Sequence, residues 1–329
     1  MDSKNLAMKG NTRKIHRIEL PVPFPLKTTN VYVVDDEPLT LIDTGVKTDS
    51  SFQVLKDSLR RLGYEIEDIG RILITHGHLD HYGQAKRISL LSGAEVSIHR
   101  EEHRRIQSTA QFRRHVASVL LRNGTPEGSV HKIINYMESA QQWGEPLDDV
   151  RYINESHEIR FENMVLRPIH CPGHSPGLLC FYLEAKGILI SGDHLLKEIT
   201  PNPIINPVPR GGQPQNTSLR QYLDSIRKIE NLKVSLVLPG HGEPIEDFKG
   251  LLEKILRHHE QRLVQVSSIL SRGEQTAYDI SKALFPDTEF FEVFLGVSEI
   301  LGHLNILLEE GKIIFRSRNG IEYYSMHHS

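Results

Sequence analysis

Short apolar runs broken by turn residues dominate the first hundred positions, a strand-like rhythm with helical stretches set between the runs. Positions 13–20 read as an opening strand that meets the Pro-rich turn Pro21-Val22-Pro23-Phe24-Pro25. Strands are expected near 30–35 and 38–43, then a helix near 50–62 that stops at Gly63. A strand at 71–75, a helix near 82–92 and a strand near 95–99 continue the order. Strands near 150–171 and 178–192, a helix near 218–230 and a strand at 234–238 complete it. This β-rich, helix-covered order suits a layered α/β sandwich. Between about 100 and 149 the rhythm changes to two helical stretches separated by Asn123-Gly124-Thr125-Pro126, which reads as a helical insertion. After Pro244 the pattern is helical over 251–270, 277–284 and roughly 291–310. Apolar runs at 313–315 and 321–324 then flank the hairpin signal Arg318-Asn319-Gly320.

The strand ends carry the chemistry. Directly after Arg71-Ile72-Leu73-Ile74, the segment Thr75-His76-Gly77-His78-Leu79-Asp80-His81 packs four potential metal ligands into six residues. A glycine-containing turn at the end of a strand lets imidazoles and a carboxylate converge on a borderline-soft cation. Further segments can complete a site: His170-Cys171-Pro172-Gly173-His174-Ser175-Pro176-Gly177, Leu189-Ile190-Ser191-Gly192-Asp193-His194, and Val237-Leu238-Pro239-Gly240-His241-Gly242. Each puts a His or Asp on a glycine-rich turn beside an apolar run, the pattern of strand-end loops building a site on a rigid sheet.

Together with Leu41-Ile42-Asp43-Thr44-Gly45, these segments resemble the metallo-β-lactamase fold superfamily over about residues 13–245, which implies an αββα sandwich. The resemblance implies that His76, His78 and His174 hold one metal, that Asp80, His81 and His241 hold a second, and that Asp193 bridges the two. An aspartate at the bridging place resembles the broad hydrolase branch that includes hydroxyacylglutathione hydrolases, and disfavours β-lactamase activity. Asp80 and Asp193 are the catalytic carboxylates of this reading, because their charge holds two dications close. Asp43 is expected behind the ligands, bracing an imidazole or the loops. Two divalent metal ions are implied, zinc first, with manganese or iron as alternatives. Such a pair shares a water, lowers its pKa toward neutrality and polarises the substrate oxygen.

The C-terminal helices and hairpin resemble a winged-helix module, which divides the chain into a catalytic domain at 1–245 and a winged-helix-like domain at 246–329. Its expected recognition helix holds Glu292, Glu299, Glu309 and Glu310 and no Lys or Arg from Phe291 to Glu310. Such a helix repels phosphates, so packing or a homodimer contact is its expected role and no DNA partner is expected.

Composition adds limits. The 329 residues hold 39 Lys and Arg against 42 Asp and Glu, a formal charge of −3 that favours neither nucleic acid nor an anionic membrane. Two cysteines, no signal pattern and no apolar run of spanning length point to a cytoplasmic protein without membrane contact. Cys171 and Cys180 read as buried and inert, His194 as packed, and His258 and His259 as solvated on a polar helix. The insertion carries Arg100, Arg104, Arg105, Arg113, Arg114 and Arg122. These form either a solvated face or a cap whose arginines recognise a carboxylate or phosphate on the substrate. The proline-rich stretch 199–212, leaving just after Asp193, reads as a pocket wall or a connector. The expected activity is hydrolysis of an acyl bond (thioester, ester or lactone) in a small molecule, an anionic one if the arginines cap the cleft. The alternative is an endoribonuclease or phosphodiesterase acting on RNA; a metal-stabilised DNA-binding regulator comes last.

Overall fold

The structure, a computed structural model, describes residues 15–24, 26–205 and 217–327. The first sheet runs in the order β1 (Ile15–Pro21), β2 (Thr28–Val34), β3 (Thr40–Ile42), β4 (Arg71–Leu73), β5 (Glu95–Ile98), β6 (Arg151–Tyr152). β1 to β3 are antiparallel neighbours, whereas β3 to β6 pair in parallel. Helix α1 (Asp49–Leu62) crosses from β3 to β4. Thr48 caps its first turn by accepting from Ser51 N, and Gly63 ends it in the left-handed region at φ 91°. After β4 come α2 (Leu79–Tyr82) and α3 (Ala85–Ser92), two helices where the sequence pattern suggested one.

The second sheet is formed by β7 (Ile159–Arg160), β8 (Val165–His170), β9 (Leu179–Leu183) and β10 (Ile188–Gly192), with β11 (Leu236–Pro239) parallel to β10 at its edge. Helix α7 (Ser218–Ile229) connects β10 to β11.

Strand alternation explains the layers. Tyr32, Val34, Ile42 and Leu73 face the second sheet and meet Phe181, Leu183, Ile188, Ile190 and Leu238. Their neighbours Val31, Val33, Leu41 and Ile72 point outward onto Leu55 and Leu59 of α1 and Ile88 of α3. On the far side, Cys180, Tyr182, Leu189 and Val237 pack under Leu219, Tyr222 and Ile226 of α7. The central strands β2, β3, β9 and β10 thus bury both faces, giving an αββα sandwich. Both cysteines are free and buried.

The insertion holds three α-helices rather than two: α4 (Arg100–Gln107), α5 (Thr109–Arg122) and α6 (Glu127–Ser139). The extra break is at Ser108, at φ −111° and ψ 29°, outside helical geometry. The C-terminal part consists of α8 (Phe248–Leu270), α9 (Ala277–Leu284), α10 (Phe291–Glu309) and the hairpin β12 (Ile313–Arg318) with β13 (Ile321–Met326). Asn319 and Gly320 turn the hairpin with φ of 54° and 79°, both positive as a two-residue hairpin turn of this hand requires. Val116, Leu120, Val130 and Ile133 of the insertion share one core with Ile280, Phe294, Val297, Ile300 and Ile313. The insertion therefore packs on the C-terminal elements.

Two expectations fail here. α10 is 19 residues long and apolar enough to cross a membrane, contrary to the absence of any such run, but 78% of its apolar window is buried inside the fold. It is a core helix, packed on α6 to α9. His259 is buried at 1% exposure and His258 is half-buried, so the pair is not solvated. The reason is helical period: His259 continues the buried stripe of Leu252 and Ile255 one turn further along α8. Of the proline-rich stretch, residues 206–212 lie outside the described residues.

Candidate metal centre

Asp43 follows β3, Thr75 to His81 follow β4, His174 follows β8, Asp193 follows β10 and His241 follows β11, so five loops of the two sheets meet at one edge of the sandwich. Backbone bonds stitch the sheets together there: Leu179 N donates to Thr75 O (2.9 Å) and Asn30 N to Gly240 O (2.7 Å). Tyr32 OH donates to Pro239 O at 2.6 Å.

Two clusters result, His76, His78, His174 with Asp193, and Asp80, His81 with His241. In the first, His76 Nε2 and His174 Nε2 lie 2.9 and 3.0 Å from His78 Nδ1. They lie 3.8 and 3.6 Å from Asp193 Oδ2. In the second, His241 Nε2 is 3.2 Å and His81 Nε2 3.8 Å from Asp80 Oδ2. Asp193 reaches this cluster too, with Oδ1 3.4 Å from His81 Nε2 and Oδ2 3.5 Å from His241 Nε2. Donors about 2.0–2.1 Å from a tetrahedral zinc stand about 3.3 Å from one another, so these spacings fit two dications with Asp193 between them. Three of the converging atoms, His81 Nε2, His241 Nε2 and Asp193 Oδ1, are buried without a hydrogen-bond partner. That is the state of donors aimed at a cation.

The other ring nitrogens are held from behind, which fixes the tautomers. His81 Nδ1 donates to Asp43 Oδ2 (2.8 Å), His174 Nδ1 to Asn202 O (3.1 Å) and His241 Nδ1 to Thr28 O (2.7 Å). Asp43 also accepts from Thr75 N (2.8 Å) and Thr75 Oγ1 (2.7 Å), so one carboxylate joins the β3 loop to two positions of the β4 loop. It does so from φ 59°, the left-handed region an aspartate tolerates better than most residues. Gly240 shows how closely the loops approach, since a Cβ there would sit 2.2 Å from Asp193 Oδ1 and 2.8 Å from His81 Cε1.

Electrostatics differ between the clusters. Burial lowers His76 and His78 well below the ordinary imidazole range, so both offer lone pairs at pH 7. Burial would also lower His241, but Asp193 and Asp80 push it up to about 10. Against the same burial, Asp193, Asp80 and Asp43 raise His81. Without metal these two rings carry protons that a dication must displace. Loading at pH 7 is therefore expected to release about two protons per chain, and affinity at this cluster should weaken as pH falls. Calorimetric titration in buffers of different ionisation enthalpy checks this; a buffer-independent heat contradicts it.

Residues 25–241 match the Metallo-beta-lactamase superfamily. The chain belongs to this family. It is a metal-dependent hydrolase whose His and Asp clusters are compatible with a binuclear centre. "Probable metallo-hydrolase YqjP" of Bacillus subtilis is 30% identical over 309 residues, 92% of this chain and 94% of the relative. The atrochrysone carboxyl ACP thioesterase of Emericella nidulans is 23% identical, covering 90% of this chain and 79% of that protein. Among solved structures, the metallo-beta-lactamase family protein TTHA1429 from Thermus thermophilus superposes with a TM-score of 0.83 at 29% identity, covering 96% of this chain and 99% of that one.

Within this superfamily framework the insertion adds a residue the sequence reading passed over. Glu102 of α4 is fully buried, and its carboxylate accepts from Gly77 N (2.6 Å) and Gly177 N (2.5 Å). It thereby ties the loop of His76 and His78 to the loop of His174. Both partners lie against the α4 region: a Cβ on Gly77 would meet Glu102 Oε2 at 2.9 Å, and one on Gly177 would meet His99 Nδ1 at 2.4 Å and Glu102 Cγ at 3.0 Å. Beside Glu101 in an arginine-rich helix, it gives no sequence signal of burial.

The insertion arginines separate individually. Arg104 is exposed and pairs with Glu101 (3.2 Å), Arg113 pairs with Glu138 (3.8 Å), and Arg122 lies 3.6 Å from Glu322 of β13. Arg105, Arg113 and Arg122 each keep one buried guanidinium nitrogen without a hydrogen-bond partner, but Arg105 has no carboxylate ion pair among the described residues, and its guanidinium carbon lies 4.7 Å from the Phe112 ring centroid. Its charge adds to burial in lowering both His78 and His174, which sets it beside the first cluster.

Proposed function

We propose that the protein is a zinc-dependent hydrolase of the hydroxyacylglutathione-hydrolase-like branch that cleaves an acyl bond (thioester, ester or lactone) in a small anionic substrate. The observation that carries the reading is the carboxylate of Asp193 set among four imidazoles of both clusters. Two dications held there supply a Lewis acid and an activated water. The chain's own part is to hold Asp80, Asp193 and the five imidazoles in fixed positions. Acyl chemistry is favoured over phosphodiester chemistry by the thioesterase among the relatives. An anionic substrate is favoured by the unpartnered Nη1 of Arg105.

The C-terminal elements are read as a winged-helix-like module that does not bind DNA. Supporting this, α10 is buried rather than free to enter a groove, and residues 250–329 carry eight Lys and Arg against eleven Asp and Glu, 8 − 11 = −3.

The test is metal-replete protein assayed on acyl thioesters, lactones, bis-(p-nitrophenyl) phosphate and a short single-stranded RNA. Turnover of the acyl substrates is expected; preference for the phosphodiesters would replace this reading with the ribonuclease one. Arg105→Ala should raise KM for an anionic thioester by roughly 10- to 150-fold, about 1.5–3 kcal/mol for one charged hydrogen bond, and leave kcat on a neutral ester nearly unchanged. Arg104→Ala should leave both values nearly unchanged. Equal effects of Arg105→Ala on neutral and anionic substrates would remove Arg105 from substrate recognition.

A further inference from the structure

Away from the catalytic edge, a cavity of about 900 Å³ opens between α8, α10 and residues 198–202. His258 and Glu299 line it, and Asn202, whose carbonyl orients His174, stands on its wall. Nε2 of His259 and Oε1 of Glu299 are buried and have no hydrogen-bond partner. Ligand atoms of His258, His259 and Glu299 all lie within 4.8 Å of one another, and His258 Nε2 is 3.8 Å from Glu299 Oε1.

The tautomers behind these atoms follow from the acceptors. His303 Nδ1 lies 2.7 Å from the carbonyl of Glu299, which can only accept, so this nitrogen carries the proton. In the neutral ring the His303 Nε2 lone pair then accepts from His259 Nδ1–H at 3.2 Å. The neutral His259 is left with an unprotonated Nε2, buried and without a hydrogen-bond partner. An imidazole held by one nitrogen, with its other lone pair buried and unpartnered near a carboxylate oxygen that makes no hydrogen bond, is the arrangement of a metal ligand.

We propose that His258, His259 and Glu299 form a further metal site, separate from the catalytic clusters, that takes a borderline dication such as Zn2+. Two imidazoles and one carboxylate suit that class of ion. Bound there, it cross-links α8 to α10. Asn202 Nδ2 donates to Leu295 O, one turn before Glu299, so the cross-link also stiffens the segment that carries the Asn202 carbonyl to His174. The Arg262 guanidinium works against the ion, with Nε 3.8 Å from Glu299 Oε1 and its carbon 4.6 Å from the Phe285 ring centroid. The site therefore fills after the catalytic pair and empties first under a weak chelator.

The experiment is a zinc titration of the full-length metal-loaded protein, read by calorimetric stoichiometry and elemental analysis. Wild type is expected to take up one equivalent more than His258→Asn and Glu299→Gln, and to gain about 2–4 °C in Tm on that last equivalent, a gain both variants lose. His258 is half-buried, so its variant remains decisive if Glu299→Gln does not fold. His131→Asn, at an exposed histidine, should keep the extra equivalent. If wild type and His258→Asn take up equal zinc, or His131→Asn loses the same equivalent, the site does not exist. The unpartnered atoms of His259 and Glu299 then belong to a hydrated polar network.

Discussion

Asp193→Ala is expected to leave purified protein with less than about one metal per chain, against about two in wild type, and to lower kcat/KM by roughly 10³-fold or more, about 4 kcal/mol. The carboxylate lies within 4 Å of imidazoles of both clusters, reaching His81 and His241 on one side and His76 and His174 on the other. Removing it takes a donor from each ion and the negative charge that offsets their repulsion. Asp80→Ala contrasts with it, because Asp80 touches only His81 and His241 and its loss should empty the second cluster while sparing the first. Elemental analysis and activity on the same preparations check both variants. Wild-type protein at or below one metal per chain would overturn the binuclear reading, and equal metal content in the two variants would remove Asp193 from its bridging position.

Glu102→Ala should act on the first cluster without touching a ligand. It leaves Gly177 N buried without an acceptor, at about 1–3 kcal/mol, leaves the part-buried Gly77 N without its partner at a smaller cost, and frees two loops that the carboxylate now ties together. Groups that orient metal-bound ligands commonly contribute about 10- to 100-fold in affinity, and a loss of that size is expected at His76, His78 and His174. Glu102→Gln should recover part of it, since one amide oxygen still accepts one N–H. Competition with a chromogenic chelator reads the affinity directly. A destabilised variant with unchanged metal affinity would assign Glu102 to the fold alone.

The two loops make clear what the linear pattern can carry. His76, His78, Asp80 and His81 stand within six residues, so their spacing announces a site before any fold is known. His174, Asp193 and His241 each sit at a strand-end glycine turn, and a resemblance to a known family is enough to place them beside it. Asp43 is likewise visible at the end of its strand. The layers are legible for the same reason: period-two alternation in β2, β9 and β10 specifies which side chain enters which face.

Other features left no trace in the order of residues. Glu102 and Arg105 lie one turn apart on α4 and share its charged surroundings, yet one braces two metal loops and the other sits beside the first cluster. What separates them from the exposed Glu101 and Arg104 is the direction of the helix face, set by packing of the insertion. His259 looked like one polar residue among many, although the stripe of Leu252 and Ile255 points to its burial once the helix is known to be covered. The unpartnered nitrogen of His259 on α8 and oxygen of Glu299 on α10 come from residues 40 positions apart. Local spacing was thus enough to announce a metal site at His76, His78, Asp80 and His81 and a layered α/β sandwich, while the family resemblance supplied the αββα form and the places of His174, Asp193 and His241. Which charged residues of the insertion turn inward, and which imidazoles of α8 are buried, became visible only in the folded chain, because burial depends on neighbours supplied by distant segments.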